Sequence, residues 1–461
     1  MKYKWRNIIE PFKIKTVEPL GFTTYEEREK ILKEAFYNLF NIRAEHVLID
    51  LLTDSGTSAM SVAQWSAIMS ADESYAGARS YYHFESTIKE ITGYEEIIPV
   101  HQGRAAERIL FSVIGGKGKY SVSNSHFDTT RANAEASGMV AVDFPVKEAM
   151  DFETEAPFKG NMDTYEFEKF IKERGAENIS ICIITATNNT LGGQPVSMKN
   201  LKEVSRLCKT YKIPLFIDCA RFAENAYFIR LREEEYSKKP VKEIVKQMFS
   251  LADGAMMSAK KDAFANIGGF LAMKNDGWAQ TARQNLILTE GFRTYGGLAG
   301  RDLDAIAVGL KEVMDERYLE YRIKSTEYLG RGLKNARIPI VNPPGGHGIY
   351  VNARKFLPHI NENNFPAQSL VCELYLAGGI RAVEIGMLMF GKWDGKGNIL
   401  PGEMELVRLA IPRRVYTQSH VDYVIEVFSE IEKNRGNIKG LEVIEAPPVL
   451  THFTAKLKPL D

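Results

Sequence analysis

The chain is poor in cysteine, with four in 461 residues: Cys182, Cys208, Cys219 and Cys372. None forms a CxxC pair and no histidine cluster accompanies them, so neither a metal site built on them nor a disulfide framework is expected. They read as buried free thiols in a reducing cytosol, which makes a cytoplasmic protein the expectation. An excess of charge is also missing: Lys plus Arg and Asp plus Glu each total 59. That balance gives no reason to expect a nucleic-acid or anionic-membrane partner and points instead to a small ligand held locally. No run approaches the ~18 apolar residues that span a bilayer. Met1–Arg6 is basic, but no apolar stretch follows, so no secretory signal is expected. Repeats and low-complexity segments are absent as well.

What remains is an ordinary globular composition, long enough for about two or three domains. From about residue 57 to 310, short apolar runs alternate with amphipathic stretches. Ile181–Thr185 and Pro214–Asp218 flank a helical pattern over Met198–Tyr211. This βαβ pattern predicts a parallel sheet with both faces covered, and such sheets gather functional residues at the carboxyl ends of strands. Asp218 sits at one such end. A long helical pattern covers Asp302–Leu333, and Asn342–Gly346 then breaks the chain. Strand-like Gly348–Val351 and Leu406–Ile411 follow, and His452–Leu457 reads as one more short strand. A helical pattern also lies around Tyr25–Phe40. The expected fold is α/β, with a large domain over 57–310 carrying a mostly parallel sheet. A smaller α/β domain is expected from 311–461 together with 1–56.

Several segments could carry chemistry. An apolar run, Gly254–Met257, leads into Ser258-Ala259-Lys260-Lys261. A lysine just after a strand can be partly desolvated, and a neighbouring cation such as Lys260 further favours the nucleophilic amine. Taken alone, a Lys-Lys pair is more often a solvated surface feature. Asp218 lies some forty residues earlier, where a carboxylate could face a pyridine nitrogen or simply cap a helix. Gln102-Gly103-Arg104 could present backbone N–H groups to a phosphate or be an ordinary helix start. Asn188-Asn189 forms a polar turn after a strand, and Phe127 could stack on a ring or pack in the core. Arg408, alone in the apolar run Leu406–Leu409, needs a partner, either a substrate carboxylate or a structural ion pair.

Taken together, these segments resemble the β-eliminating lyases, a family of fold-type I enzymes that use pyridoxal phosphate (PLP). The matching stretches include IDLLTDSGT (49–57), DESYAG (72–77), HQGRAAE (101–107), GGQPVS (192–197), ARFAENAYFI (220–229), MSAKKDA (257–263), YGGLAGRD (295–302), IRAVEIG (380–386), IPRRVYT (411–417) and HFTAKL (452–457). They run in order over nearly the whole chain. The resemblance implies that Lys261 links covalently to PLP and that Asp218 faces its pyridine nitrogen. It implies Arg221 and Asn189 beside the phenolic oxygen, Phe127 on the ring, and Gln102, Gly103, Arg104 and Ser258 at the phosphate. Arg408 is expected on the substrate carboxylate, with Thr53, Ser55 and Asn189 nearby. Tyr75, from a neighbouring subunit, is expected to assist proton transfer. A homotetramer with shared active sites is implied, as is potassium held by Gly56, Glu73 and Asn266.

The family has two branches, one releasing indole from L-tryptophan and one releasing phenol from L-tyrosine. The phenol-releasing branch carries Thr, Arg and Phe where this chain has Asp128, Ile385 and His452. An apolar Ile385 leaves a phenolic hydroxyl without a partner, whereas an indole N–H wants an acceptor. All three positions point to L-tryptophan, with tyrosine cleavage the alternative. The connection Gly115–Tyr120 is shorter than in some members and is expected to be a surface loop.

Overall fold

The computed structural model describes residues 8–393, 399–400, 402, 404–447 and 451–460; the basic residues 1–6 lie outside these. The chain divides into two units, a central one, Ser55–Ile323, and a terminal one, Met1–Asp54 with Lys324–Asp461.

The central unit is organised by a seven-stranded sheet. Its strands are β1 (Glu96–Val100), β2 (Tyr120–Ser123), β3 (Val140–Asp143), β4 (Ile179–Thr185), β5 (Leu215–Asp218), β6 (Gly254–Ser258) and β7 (Gly269–Met273). Their order is β1-β7-β6-β5-β4-β2-β3. Neighbours from β6 through β3 pair in parallel, while β7 runs antiparallel to both β6 and β1. Alternation along the strands divides the core. Cys182, Ile184 and Ile217 belong to one apolar cluster, and Ile181, Ile183 and Phe216 to another. Successive side chains point to opposite faces, so a continuous apolar run such as Ile181–Ile184 requires that both faces be covered.

The crossover helix α3 (Met198–Tyr211), which follows α1 (Gly103–Ile114) and α2 (Asp128–Ala136) in the chain, shows how the covering is encoded. Ser197 caps it, its hydroxyl accepting from Asn200 N. Leu201, Val204, Leu207 and Cys208, at helical spacing, join the first cluster. The chain leaves at Lys212 in the left-handed region.

The helical pattern over Asp302–Leu333 is two helices, Gly300–Glu312 and Glu316–Asn335. Asp315 makes the break: its carboxylate accepts from Arg317 N and Tyr318 N, both at 2.9 Å, and starts the second helix as a cap.

In the terminal unit, β8 (Gly348–Asn352), β9 (Val383–Ile385) and β10 (Leu406–Ala410) form an antiparallel sheet with β10 in the middle. The helices Pro366–Gly378 and Gln418–Asn434 belong to the same unit. The helix expected around Tyr25–Phe40 ends at Glu34, and Phe36 and Tyr37 then take left-handed φ values of 54°. The strand expected over His452–Leu457 starts later, at Lys456, and extends to Pro459. Thr451–Phe453 is a tight helical turn in which Thr454 N and Ala455 N both donate to Thr451 O. No helix among the described residues is long and apolar enough to cross a membrane.

A buried ion pair in the central unit joins the helices Phe222–Arg232 and Glu316–Asn335. Arg322 Nε donates to Glu224 Oε1 at 3.0 Å, with side chains 4% and 0% exposed. Removing one partner of such a pair strands a buried charge. Arg322→Leu is expected to cost about 3–5 kcal/mol, and adding Glu224→Gln to restore part of it. Thermal unfolding of the two variants checks this.

Candidate active site

In the central unit, the residues singled out for the cofactor, and Asp128 with them, lie at or just beyond the carboxyl end of a parallel strand. Gln102, Gly103 and Arg104 follow β1, Phe127 and Asp128 follow β2, and Asn189 follows β4. Asp218 ends β5 with Arg221 close behind, and Ser258 ends β6 with Lys261 three residues on. The strands are parallel, so these segments all emerge at the same edge. β7 begins at that edge too, Gly269 pairing with Ser258 and with Val100.

Asp218 is the electrostatic centre. It is only half-buried by surface, yet loss of water is the largest influence on it and pushes its carboxyl up. The Ala220 N–H, donating to Oδ1 at 3.2 Å, opposes this, as do the charges of Lys261 and Arg221. The structure therefore brings Asp218, Arg221 and Lys261 together. Asp262 fastens the lysine turn to the arginine turn: its N–H donates to Ala220 O at 3.2 Å and its carboxylate accepts from Ala223 N at 2.8 Å. Lys260 is half-buried; burial lowers its amine and so does the Arg104 charge, so its cationic neighbour is Arg104.

The first turn of α1 presses against Ser258. A Cβ on Gly103 would come within 2.9 Å of Ser258 Cβ, and one on Gly269 within 3.3 Å of Gly103 N. Among the described residues, Gln102, at the N-cap of α1, makes no side-chain cap. These features make a cradle of backbone N–H groups, a serine hydroxyl and Arg104, which suits a phosphate. With Lys261 and a cation-flanked carboxylate at the same edge, the donor set fits PLP.

Other residues prove important to this edge. Ser121, His126 and Asp143 make a chain that leads up to Phe127 in sequence: His126 Nδ1 lies 2.6 Å from Asp143 Oδ1 and Nε2 lies 2.9 Å from Ser121 Oγ. Asn225 accepts from Thr187 N and Val196 N and donates to Val196 O, closing the loop that carries Asn189. Glu107 on α1 accepts from Thr130 and Asn133 of α2. Burial, and less strongly the charge of Asp218, push its carboxyl up to about 7. Glu107 and Asn225 lie inside matching stretches and His126 directly precedes Phe127, but the partners of each lie outside its own segment and carry no local signal.

Gly56, Lys260 and Asn266 also meet: Gly56 N donates to Lys260 O at 2.7 Å and Asn266 Nδ2 to Gly56 O at 3.0 Å. Glu73 is engaged at the start of the Gly300–Glu312 helix, accepting from Gly300 N and Arg301 N. Tyr75 is 69% exposed and stacks on Phe292 at 5.6 Å. Its hydroxyl is pushed up, mainly by its hydrogen bond with Tyr295. Asp128 is the first residue of α2, and its Oδ1 accepts from Thr129 N at 2.5 Å. Ser55 opens the central unit, half-buried.

The terminal unit holds a second group. Arg408 on β10 is buried, and its guanidinium donates to Leu52 O at 2.9 Å, next to Thr53. The segment carrying Thr53 is held on both sides: Asp50 pairs with Arg381, and buried Asp54 accepts from buried Arg413 at 2.9 Å. Val383 pairs with Arg408 and Ile385 with Leu406, so Ile385 sits one strand over from the arginine. His452 is buried; desolvation, then the Arg408 charge, lower its imidazole to about 4. It is therefore neutral near pH 7, and a neutral imidazole keeps one acceptor nitrogen.

A family profile described as Beta-eliminating lyase matches residues 50–427. A tryptophanase of Salinibacter ruber is 56% identical over 98% of this chain and 96% of its own length. One from Hyphomonas neptunium is 54% identical over 99% and 100%. A tyrosine phenol-lyase of Symbiobacterium thermophilum is 48% identical over 98% and 99%. Among solved structures, the serine palmitoyltransferase of Sphingomonas wittichii superposes with a TM-score of 0.61 at 14% identity, covering 90% of this chain and 97% of that one. Leishmania major threonine aldolase gives 0.57 at 14% identity, over 83% and 99%. At such identities the likeness to the solved structures is one of fold, the α/β fold of type I PLP enzymes.

Glu107 generates a prediction. Its raised carboxyl means that the stability it contributes is complete below the ordinary carboxylate range and is lost as pH rises through about 7. Glu107→Gln removes that dependence. The variant is expected to gain on the native chain by up to about 3 kcal/mol between mildly acidic and mildly alkaline pH, read as paired thermal midpoints.

Proposed function

The chain belongs to the β-eliminating lyase family, and from that premise we propose that it is a PLP-dependent carbon–carbon lyase acting on L-tryptophan. With water, it releases indole, pyruvate and ammonia. The observation that carries this reading is the half-buried Asp218 carboxylate at a strand end, within the fields of Lys261 and Arg221. The relatives named tryptophanase share more of this chain than those named tyrosine phenol-lyase.

Bound at the strand-end edge, PLP supplies an electron sink for charge left on the substrate α-carbon. Lys261 would anchor it covalently and, as a free amine, would accept the α-proton. Asp218 would hold a proton on the pyridine nitrogen, a role that the neighbouring charges of Lys261 and Arg221 favour against the desolvation that raises its carboxyl. Arg221 and Asn189 would donate to the phenolic oxygen of PLP, and Phe127 would stack on its ring. Gln102, Gly103, Arg104 and Ser258 hold the phosphate. Arg408 grips the substrate carboxylate, with Thr53 and Ser55 beside it. Indole leaves from C3 only when that carbon is protonated, which calls for a general acid. Tyr75, whose raised hydroxyl keeps its proton at neutral pH, serves as that acid. Asp128 and neutral His452 accept from the indole N–H, and apolar Ile385 offers nothing to a phenolic hydroxyl.

The finer readings rest on narrower support. Val62, Trp65 and Met69 form an exposed apolar stripe on one helix, and Tyr75 is exposed as well. Such a face favours burial against another subunit, and we read the enzyme as a homotetramer in which Tyr75 serves a neighbouring site. Potassium is proposed at the Gly56 and Asn266 carbonyls with Glu73, supported by the contact between the first two; a carbonyl already accepting one hydrogen bond retains a second lone pair. Four buried, reduced cysteines suit the cytosol.

Three measurements test this. Steady-state turnover of both amino acids should favour tryptophan; faster turnover of tyrosine overturns the assignment. Lys261→Ala should lose the visible absorbance of lysine-linked cofactor, and a persisting band refutes its role. Arg408→Ala should lower kcat/KM roughly 10- to 150-fold, the equivalent of about 1.5–3 kcal/mol for a charge-assisted hydrogen bond. Unchanged kcat/KM removes Arg408 from the substrate.

A further inference from the structure

Two carboxyl groups meet behind Ile385. Glu384 and Glu405 are 3% and 2% exposed. A Cβ placed on Gly386 would lie 2.7 Å from Glu405 Oε1 and 2.9 Å from Glu384 Oε1, so both oxygens converge on one glycine. Both also hold the helix Met387–Phe390: Met387 N donates to Glu405 Oε1 at 2.8 Å and Leu388 N to Glu384 Oε1 at 2.9 Å. Glu405 Oε2 accepts from Ala367 N at 3.1 Å, tying in the start of the Pro366–Gly378 helix. Glu384 Oε2 is buried and takes no hydrogen bond from the described residues. The Thr451–Phe453 turn, which carries His452, packs against the same Met387–Phe390 helix. The short helix thus links the carboxyl pair to the His452 turn, and Ile385, the other discriminating residue here, directly follows Glu384 in the strand that leads into it.

We propose that Glu384 and Glu405 are positioning residues for the leaving group: one proton retained by the pair holds the Gly386–Phe390 turn, and through it Ile385 and the His452 turn, in the arrangement that accepts indole. The proposal rests on the reading that Ile385 and His452 face the leaving group. Two bare negative charges this close, with little water, repel strongly, so the pair keeps a proton into the neutral range. Burial, then the charge of Glu405, lifts the Glu384 carboxyl well above the carboxylate range, and burial lifts Glu405 to about 7. Of the other charged groups that face the pair, Arg354 favours ionisation of Glu405 and Glu362 opposes it, and these two are themselves paired at 3.0 Å. His452 is neutral in this range and adds no charge. A raised carboxyl contributes stability at low pH and loses it as pH rises through its folded value, so the turn loosens as the pair gives up its last proton, above the value of about 7 to which burial lifts Glu405.

The test compares L-tryptophan with 3-chloro-L-alanine, whose chloride leaves without reaching Ile385 or His452, on the holoenzyme. The ratio of their kcat/KM values should fall about tenfold from about pH 6 to about pH 9 in the native enzyme, and less than about twofold in Glu384→Gln. A flat native ratio, or the same fall in the variant, overturns the proposal. If chloroalanine turns over and tryptophan does not at any pH, the tryptophan reading has failed, and amide hydrogen exchange decides the pair separately. Protection of Met387 and Leu388 should drop above about pH 7 in the native enzyme and hold steady in Glu384→Gln and Glu405→Gln. Protection in the native enzyme that does not change with pH overturns the pair.

Discussion

Parallel strands deliver all their carboxyl ends to one edge of a sheet, and their loops must leave the core there together. In the central unit this brings loops from β1, β2, β4, β5 and β6 side by side although their residues span from Gln102 to Lys261. The antiparallel β7 turns back at that edge, and the close fit of Gly269 against Gly103 lets the α1 terminus reach Ser258. Covering both faces with helices excludes water from the sheet while leaving the edge open. Chemistry that needs an amine, a carboxylate and phosphate donors together is assembled by that single constraint.

The two units solve the problem of partly desolvated charge in opposite ways. At Asp218 desolvation acts against the carboxylate and raises it, while the Ala220 N–H and the charges of Lys261 and Arg221 work in its favour. At His452 desolvation and the Arg408 cation act in the same direction, so the imidazole is neutral. Glu384 and Glu405 illustrate a third solution, in which like charges in a low dielectric retain a proton. Each outcome suits the role proposed for it. A carboxylate keeps a ring nitrogen protonated, a neutral imidazole accepts from an N–H, and a protonated pair gives a short helix rigid support.

Much of this was legible in the chain itself. The apolar runs at Ile181–Thr185 and Pro214–Asp218 announced buried strands, and Met198–Tyr211 the helix between them, because a two-residue and a 3.6-residue period are imposed by backbone geometry. The Gly-containing step at Gln102–Arg104 and the lysine after Gly254–Met257 marked strand ends. Where reading failed, a local competitor decided. Asp315 captures backbone N–H groups and splits one helical pattern into two, and the Thr451 carbonyl closes a turn at the start of the segment that reads as a strand.

The sequence by itself determined the family, the cofactor chemistry and the residue types at the discriminating positions, since these depend on identity and order along the chain. Tertiary structure alone decided which groups share a field: Lys260 with Arg104, Glu107 with Asp218, His452 with Arg408, and Glu384 with Glu405. Protonation depends on distance and on the water left between charges, and both exist only once segments remote in sequence have been packed together.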